Sequence, residues 1–187
     1  MREKTQPGTR EARKWFIDKV NNQRLKNRKK QPKNKLLRDP EVRTIYHARP
    51  EIGQMYQYRY DPKWKNKLPF WDALPLTIPV HYYKDGFLGL NLHYVTPTAR
   101  KELLDALTRY AVGEHYRRRF QISYMILRSS MRSNLIAPCI KRYLYSHVRT
   151  RFQMIHHTEW KYAIRLPTRL IQFRGASAQT VWRRGGR

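Results

Sequence analysis

The residues best suited to chemistry are seven histidines and one cysteine, and their spacing predicts no metal centre. His156 and His157 are the densest pair, but adjacent side chains on a strand point to opposite faces. His81 and His93 can face each other across a predicted hairpin. Zinc needs further ligands, and neither a Cys-x-x-Cys nor a His-Glu-x-x-His spacing supplies them. We therefore expect no metal and no cofactor.

Cysteine and carboxylate chemistry is also poorly supported. Cys139 follows a proline at a predicted helix start, which favours a thiolate, but we interpret it as a small buried residue. A metal-dependent nuclease gathers several carboxylates around its ions, and this chain has 13 acids in all. Asp61 and Asp85 lie in predicted turns, and Glu102 and Asp105 on a helix face, where they offset arginines. We predict a non-enzymatic protein without a small-molecule substrate; a nuclease is the enzymatic alternative.

Basic residues dominate the composition. The 187 residues include 40 Lys and Arg and carry a formal net charge of +27. Self-repulsion of this size opposes compaction unless a polyanion or an acidic partner offsets it. Apolar residues make up 40% of the chain, which is enough to build a core. No run approaches about 18 apolar residues, so we expect no membrane span.

The charge is densest between residues 20 and 38, where eight Lys and Arg occur without an acid. Few apolar residues are available there to offset the entropy of ordering. We predict an extended basic arm, ordered only by its partner, which is nucleic acid or acidic protein. Trp15, Phe16 and Val20 form an apolar stripe on a predicted helix from about residue 10 to 21. This helix is expected to anchor the arm on the body or on another subunit.

The predicted partner-binding residues are basic side chains of the arm, of the helical middle and of the C-terminal end. They are Arg24, Lys26, Arg28, Lys29, Lys30, Lys33, Lys35, Arg38, Arg117, Arg118, Arg119, Lys141, Arg142, Arg149, Arg151, Arg183 and Arg184. Lysine and arginine neutralise phosphates. Trp64, Trp71, Tyr82 and Tyr83 are interleaved with basic residues and can stack on exposed bases. The alternative is that these aromatic residues belong to the core.

The elements that must position these residues begin with strands. Alternating tyrosines over residues 54–60 predict a half-buried strand. Residues 74–83 contain two prolines and predict an irregular or edge strand. A tight turn is predicted at residues 84–86, because Asp-Gly supplies a positive φ. Alternation over residues 87–94 then completes a β-hairpin.

Helical spacing predominates in the middle of the chain. Proline at the first helical position predicts a helix from residue 97, with leucines on its inner face. Further helices are predicted near residues 121–132 and from Pro138 onward. The helical middle therefore extends over about residues 97–150.

The C-terminal part reverts to extended structure. Short strands are predicted at residues 152–155 and 162–166, and Ser177 is predicted to cap a final short helix. The order of elements predicts an α+β fold with a small antiparallel sheet. We expect two parts, a basic N-terminal arm with an anchor helix at residues 1–50 and one α+β domain at residues 51–187.

Several short motifs resemble a protein family of T-even-like, contractile-tailed bacteriophages. The motifs are YDPK at 60–63, LPFWD at 68–72, LPL at 74–76, DGFLGLNLHY at 85–94, APCIKRYL at 137–144, SHVR at 146–149, EW at 159–160, LPT at 166–168 and TVW at 180–182. The resemblance covers about residues 50–184 and leaves the basic arm outside. Members of this family are known as DNA end protectors or as virion structural proteins. The resemblance implies no catalytic residues.

The resemblance and the charge together predict a non-enzymatic structural component of a tailed-phage virion, made in the host cytoplasm. Its position would be the neck, tail or baseplate, where it docks on other virion proteins and on DNA. One alternative is a protector that binds the ends of the packaged double-stranded DNA and shields them from host exonuclease. Another is a ribosomal or other RNA-assembly protein, because basic arms also thread into RNA.

Overall fold

Antiparallel pairing organises the two sheets of the protein. The computed structural model describes residues 9–25, 46–111, 129, 136–165 and 173–185. The strands are β1 (Tyr46–His47), β2 (Met55–Gln57), β3 (Trp71–Asp72), β4 (Leu76–Tyr83), β5 (Gly86–Asn91), β6 (Ile140–Leu144), β7 (Phe152–Ile155) and β8 (Phe173–Arg174). The helices are α1 (Thr9–Leu25), α2 (Pro97–Ala111), α3 (Trp160–Ile164) and α4 (Ala178–Gly185).

Six strands form the main sheet in the order β1-β7-β2-β4-β5-β6, and β3 pairs with β8. This arrangement of helices around an antiparallel sheet confirms the predicted α+β fold. Helices α1 to α4 contribute to one core with the apolar side chains of the sheet. A second core, the tyrosine cluster, joins Tyr56, Tyr58, Tyr60, Phe87, Tyr143 and Phe152. Both faces of the sheet are therefore buried.

The β4–β5 hairpin is confirmed, but the reason for its glycine differs from the prediction. Tyr83 pairs with Gly86 across a two-residue turn. Among the described residues only Gly53 and Gly175 have a positive φ, so Gly86 is not needed for that conformation. A Cβ atom on Gly86 would instead collide with the carbonyl oxygen of Tyr143 on β6. Close approach of two strands explains the glycine.

Of the two alternatives predicted for residues 74–83, the irregular strand is confirmed and the edge strand is wrong. β4 lies between β2 and β5. The register of the β4–β5 pair shifts between Pro79 and His81. This bulge tolerates the missing proline N–H, because the regular ladder is interrupted there.

Two elements have a different type from the prediction. The helix predicted from Pro138 is a single turn, Ala137–Cys139, followed by β6. Tyr143 of β6 pairs with Phe87 of β5 and completes the tyrosine cluster, so sheet pairing overrides the helical spacing. Residues 162–166, predicted as a strand, lie instead largely in α3, which packs against α1 and α2.

Other predicted elements are confirmed. β7 coincides with the strand predicted at residues 152–155, and α2 begins at Pro97. Ser177 caps α4, because its Oγ accepts a hydrogen bond from the N–H of Thr180 at 3.3 Å. Of the helix predicted near residues 121–132, only Ser129 lies within the described residues.

Helix α1 docks on the body of the protein, one of the two sites predicted for the anchor. Trp15 and Phe16 are buried in the helical core. The Trp15 indole N–H donates to Glu159 Oε1 at 3.0 Å, and Lys19 Nζ lies 2.7 Å from the same oxygen. The helix extends to Leu25, beyond its predicted end near residue 21, so the prediction of an extended arm is wrong for residues 20–25.

Candidate nucleic-acid interface

An exposed tryptophan lies in a lysine-rich loop that follows Tyr60 in the sequence. We name residues 61–68 the Trp64 loop; its sequence is DPKWKNKL. Trp64 is 56% exposed. Its carbonyl oxygen accepts two backbone hydrogen bonds, from Lys67 N at 2.8 Å and from Leu68 N at 3.0 Å. These bonds close the loop into a compact turn that presents the indole outward.

Two lysine ammonium groups lie close to the indole. The Nζ atoms of Lys63 and Lys67 are 5.1 Å and 5.0 Å from the ring centroid of Trp64. Both distances fall within the range of cation–π attraction. The loop therefore presents an aromatic surface with positive charge beside it.

A single carboxylate fastens the Trp64 loop to a distant segment. Asp61 Oδ1 pairs with Lys65 Nζ at 3.1 Å, and Asp61 Oδ2 with an Arg149 guanidinium nitrogen at 3.2 Å. Hydrogen bonds from Lys65 and Arg149 lower the pKa of this carboxyl group. Arg149 N also donates to the Arg59 carbonyl oxygen at 2.9 Å. The predicted site residue Arg149 thus contacts the Trp64 loop through Asp61 and lies beside Arg59 through the backbone.

The tip of the β4–β5 hairpin forms a second basic and aromatic surface, which we name the hairpin edge. The Arg142 guanidinium lies 4.5 Å from the ring centroid of Tyr83. The same group pairs with Asp85 at 2.7 Å, and this hydrogen bond lowers the pKa of Asp85. Lys141 Nζ lies 5.6 Å from the ring of Tyr94, and burial lowers the pKa of Lys141. The predicted residues of β6 therefore contact aromatic rings.

The remaining predicted site residues are spread over the chain. Arg151 is exposed just before β7, Arg24 lies in α1, and Arg183 and Arg184 lie in α4. The others lie outside the described residues: Lys26, Arg28, Lys29, Lys30, Lys33, Lys35, Arg38, Arg117, Arg118 and Arg119.

Sequence reasoning about basic residues missed the lysines of the Trp64 loop and Arg59. The signal was present as the alternation of lysine around a tryptophan in KWKNK. Tyr82 and Tyr83 are 43% and 40% exposed, so the core interpretation is wrong for them as for Trp64. Trp71 is half-buried in β3.

Two of the side chains that could do chemistry, His93 and Cys139, are buried. His93 Nδ1 lies 2.7 Å from Asp72 Oδ2, and both side chains are at most 3% exposed. His81 pairs instead with Leu88 in the hairpin. Burial raises the pKa of Cys139 to about 11, which makes it a poor nucleophile at neutral pH.

His156 and His157 do not point to opposite faces of a strand as predicted. They lie at the turn after β7, with ring centroids 4.0 Å apart. Within the described residues, no group of three or more His, Cys, Asp or Glu is arranged to hold a metal ion. Nor does any helix in these parts of the chain combine the length and apolar character that crossing a bilayer requires.

Similarity to known proteins identifies the family of the chain. Residues 8–185 match the family described as phage T4 terminal DNA protecting protein. The match begins before α1, so the basic arm is part of the family similarity and the narrower extent of about residues 50–184 is wrong. No curated protein and no solved structure matches the chain. Because the match spans nearly the whole sequence, the chain belongs to the phage T4 terminal DNA protecting protein family.

Proposed function

We propose that this protein binds the ends of linear double-stranded DNA and shields them from exonucleases without catalysing a reaction itself. The surface of the Trp64 loop carries the proposal. Lys63 and Lys67 have no carboxylate partner within the described residues. Two uncompensated cations beside an exposed indole suit a phosphate backbone.

The basic arm supplies further phosphate contacts in this proposal. Helix α1 is fixed to the body through Glu159 and ends at Leu25, where the densest run of Lys and Arg continues. The body would contact the DNA terminus while the arm follows the neighbouring backbone. Contacts of many Lys and Arg side chains with DNA phosphates would offset the self-repulsion of a chain with a net charge of +27.

An exonuclease protection assay tests the proposal. A linear duplex is saturated with protein at low salt and then exposed to a double-strand exonuclease. We expect protection, and an affinity that falls roughly 1,000-fold between 50 and 200 mM salt if about six phosphates are contacted. Complete degradation of the duplex under saturating protein would contradict the proposal.

Matched lysine variants locate the contact. Lys63→Ala combined with Lys67→Ala should weaken binding to all duplex sequences alike and reduce the salt slope by about two ion contacts. Lys101→Ala is the control, because Lys101 lies on α2 and pairs with Asp105. A loss of affinity as large for the control as for the loop variant would place the interface elsewhere.

A role in virion assembly is a second candidate. β6 is an edge strand of the main sheet, and its exposed Lys141 and Arg142 suit an acidic neighbour in the neck, tail or baseplate. Arg142→Glu should then reduce incorporation into particles, measured by mass spectrometry of purified virions. An RNA-assembly role would instead require equal or tighter binding to an RNA duplex in the same affinity measurement.

A further inference from the structure

We propose that Trp64 is a stacking site for the terminal base pair of a DNA duplex, so that the Trp64 loop distinguishes an end from an internal segment. This inference rests on the proposed function and adds the means by which an end is recognised. The Trp64 side chain is 56% exposed. The backbone of this residue is held by the two hydrogen bonds that its carbonyl oxygen accepts.

An exposed indole can stack on a base pair at a DNA end but not on one inside the duplex. Every base has a π-face, so an aromatic ring stacks on bases without regard to sequence. Inside an intact duplex, both faces of each base pair are covered by its neighbours. Only the last pair leaves one face open to a protein. An indole on a basic surface can therefore stack on the open face of the last base pair, and no internal base pair offers such a face.

The charges of the loop favour an anionic partner over an apolar one. Asp61 is the acid of the loop, and its two carboxylate oxygens are engaged by Lys65 and Arg149. The ammonium groups of Lys63 and Lys67 lie over the indole, 5.1 Å and 5.0 Å from its ring centroid. No carboxylate among the described residues holds them there, so a stacking base can displace them, unlike the guanidinium over Tyr83. Bases stacked on this ring would bring their phosphates toward those ammonium groups, so stacking and charge attraction act on the same ligand.

The tyrosines of the hairpin edge are less available for this task. The Tyr82 hydroxyl donates to the Pro50 carbonyl oxygen at 2.8 Å and accepts from Ile52 N at 3.0 Å. The ring of Tyr83 carries the Arg142 guanidinium at 4.5 Å, and Asp85 holds that guanidinium. Their rings are committed to the structure of the protein, whereas the indole of Trp64 is the more exposed surface.

The test compares two DNA probes that differ only at their ends. One is a blunt-ended duplex, and the other is the same duplex closed at both ends by covalent hairpin loops. The wild-type protein should prefer the open duplex. Trp64→Ala should bind the open duplex roughly 5- to 150-fold more weakly and the closed duplex within about twofold of wild type, because the phosphate-binding lysines remain. Trp64→Phe should restore much of the preference, and Tyr83→Ala should retain it.

A fluorescent base reports the stacking itself. 2-Aminopurine in the terminal pair should be quenched when wild-type protein binds and should stay bright with Trp64→Ala, whereas the same base at an internal position should respond equally to both proteins. Circular dichroism and urea unfolding establish that the variants are folded.

The two failures are distinguishable. If wild type protects DNA ends and Trp64→Ala keeps the full preference for open ends, the stacking inference is overturned and the proposed function stands. Equal losses on the open and closed duplexes would also overturn it, because they indicate contact with internal steps. If wild type neither protects ends nor prefers them, the proposed function itself fails.

Discussion

Removing the Glu159 carboxylate tests how helix α1 is fixed to the body. Glu159 accepts the Trp15 indole N–H at 3.0 Å and pairs with Lys19 at 2.7 Å. Its Oε2 also accepts the backbone N–H of His156 at 3.2 Å. The side chains of Lys19 and Glu159 are only 8% and 12% exposed. The contact is therefore shielded from water and salt, unlike a surface ion pair.

The magnitude follows from what Glu159→Ala leaves behind. A buried ammonium without its partner costs about 3–5 kcal/mol, and an unsatisfied indole N–H adds about 1–3 kcal/mol if it stays buried. Helix α1 can relieve both costs by leaving the body, which limits the loss. We expect the free energy of unfolding to fall by about 3 kcal/mol, or α1 to detach before the rest unfolds.

Urea unfolding followed by tryptophan fluorescence measures this loss, since Trp15 lies in the affected contact. A double-mutant cycle with Lys19→Ala should give a coupling energy of about 1–3 kcal/mol. The matched control is Asp105→Ala, which removes the exposed Lys101–Asp105 pair of 2.6 Å and should cost about 0.5 kcal/mol or less.

The reasoning would be refuted by a Glu159→Ala protein as stable as the Asp105→Ala control, with coupling to Lys19 near zero. Limited trypsin digestion adds an independent reading. Detachment of α1 should speed cleavage at its exposed Arg13 and Lys14, whereas the control should be cleaved like wild type.

Two further predictions concern the sheet. Gly86→Ala should lower the free energy of unfolding by roughly 3 kcal/mol, near the upper end for overpacking, because the added Cβ would meet backbone atoms. Gly89→Ala should cost less, because its added Cβ meets mainly side chains. Equal urea midpoints for the two variants would contradict this prediction. Burial raises the pKa of both Tyr58 and Tyr143. The folded state then holds protons that the unfolded state releases near pH 10, so the free energy of unfolding is full below that pH and falls above it. Tyr58→Phe should make this decrease with pH smaller in urea titrations at pH 9 to 11. A decrease as steep as in the wild type would count against the prediction.

Elements set by neighbouring residues were predictable from the sequence. The alternation of the β4–β5 hairpin, the proline that begins α2 and the Ser177 cap of α4 act within a few positions of the elements they set. β6 was predicted as a helix because Ile140, Tyr143 and Leu144 also suit helical spacing. Its pairing with β5 joins residues fifty or more positions apart, and no local pattern encodes such a contact.

Side-chain roles followed the same division. Asp61 and Asp85 were expected to offset arginines, and each pairs with one. Arg100 lies on α2, whose inner face was predicted to carry leucines, but its side chain is also buried, with 1% exposed, and burial lowers its pKa to about 10. The position of a side chain relative to the core depends on which surfaces the helix meets, so periodicity alone did not identify it.

The sequence by itself determined that this protein carries a large positive charge and a dense run of Lys and Arg at residues 20–38, because charge adds residue by residue whatever the fold. Only the tertiary structure decided where that charge meets an exposed aromatic ring. Arg149 reaches the Trp64 loop through Asp61, 88 positions away, and helix α1 is tied to Glu159 through Lys19, 140 positions away. Both contacts require folded backbone to bring distant groups within hydrogen-bonding distance.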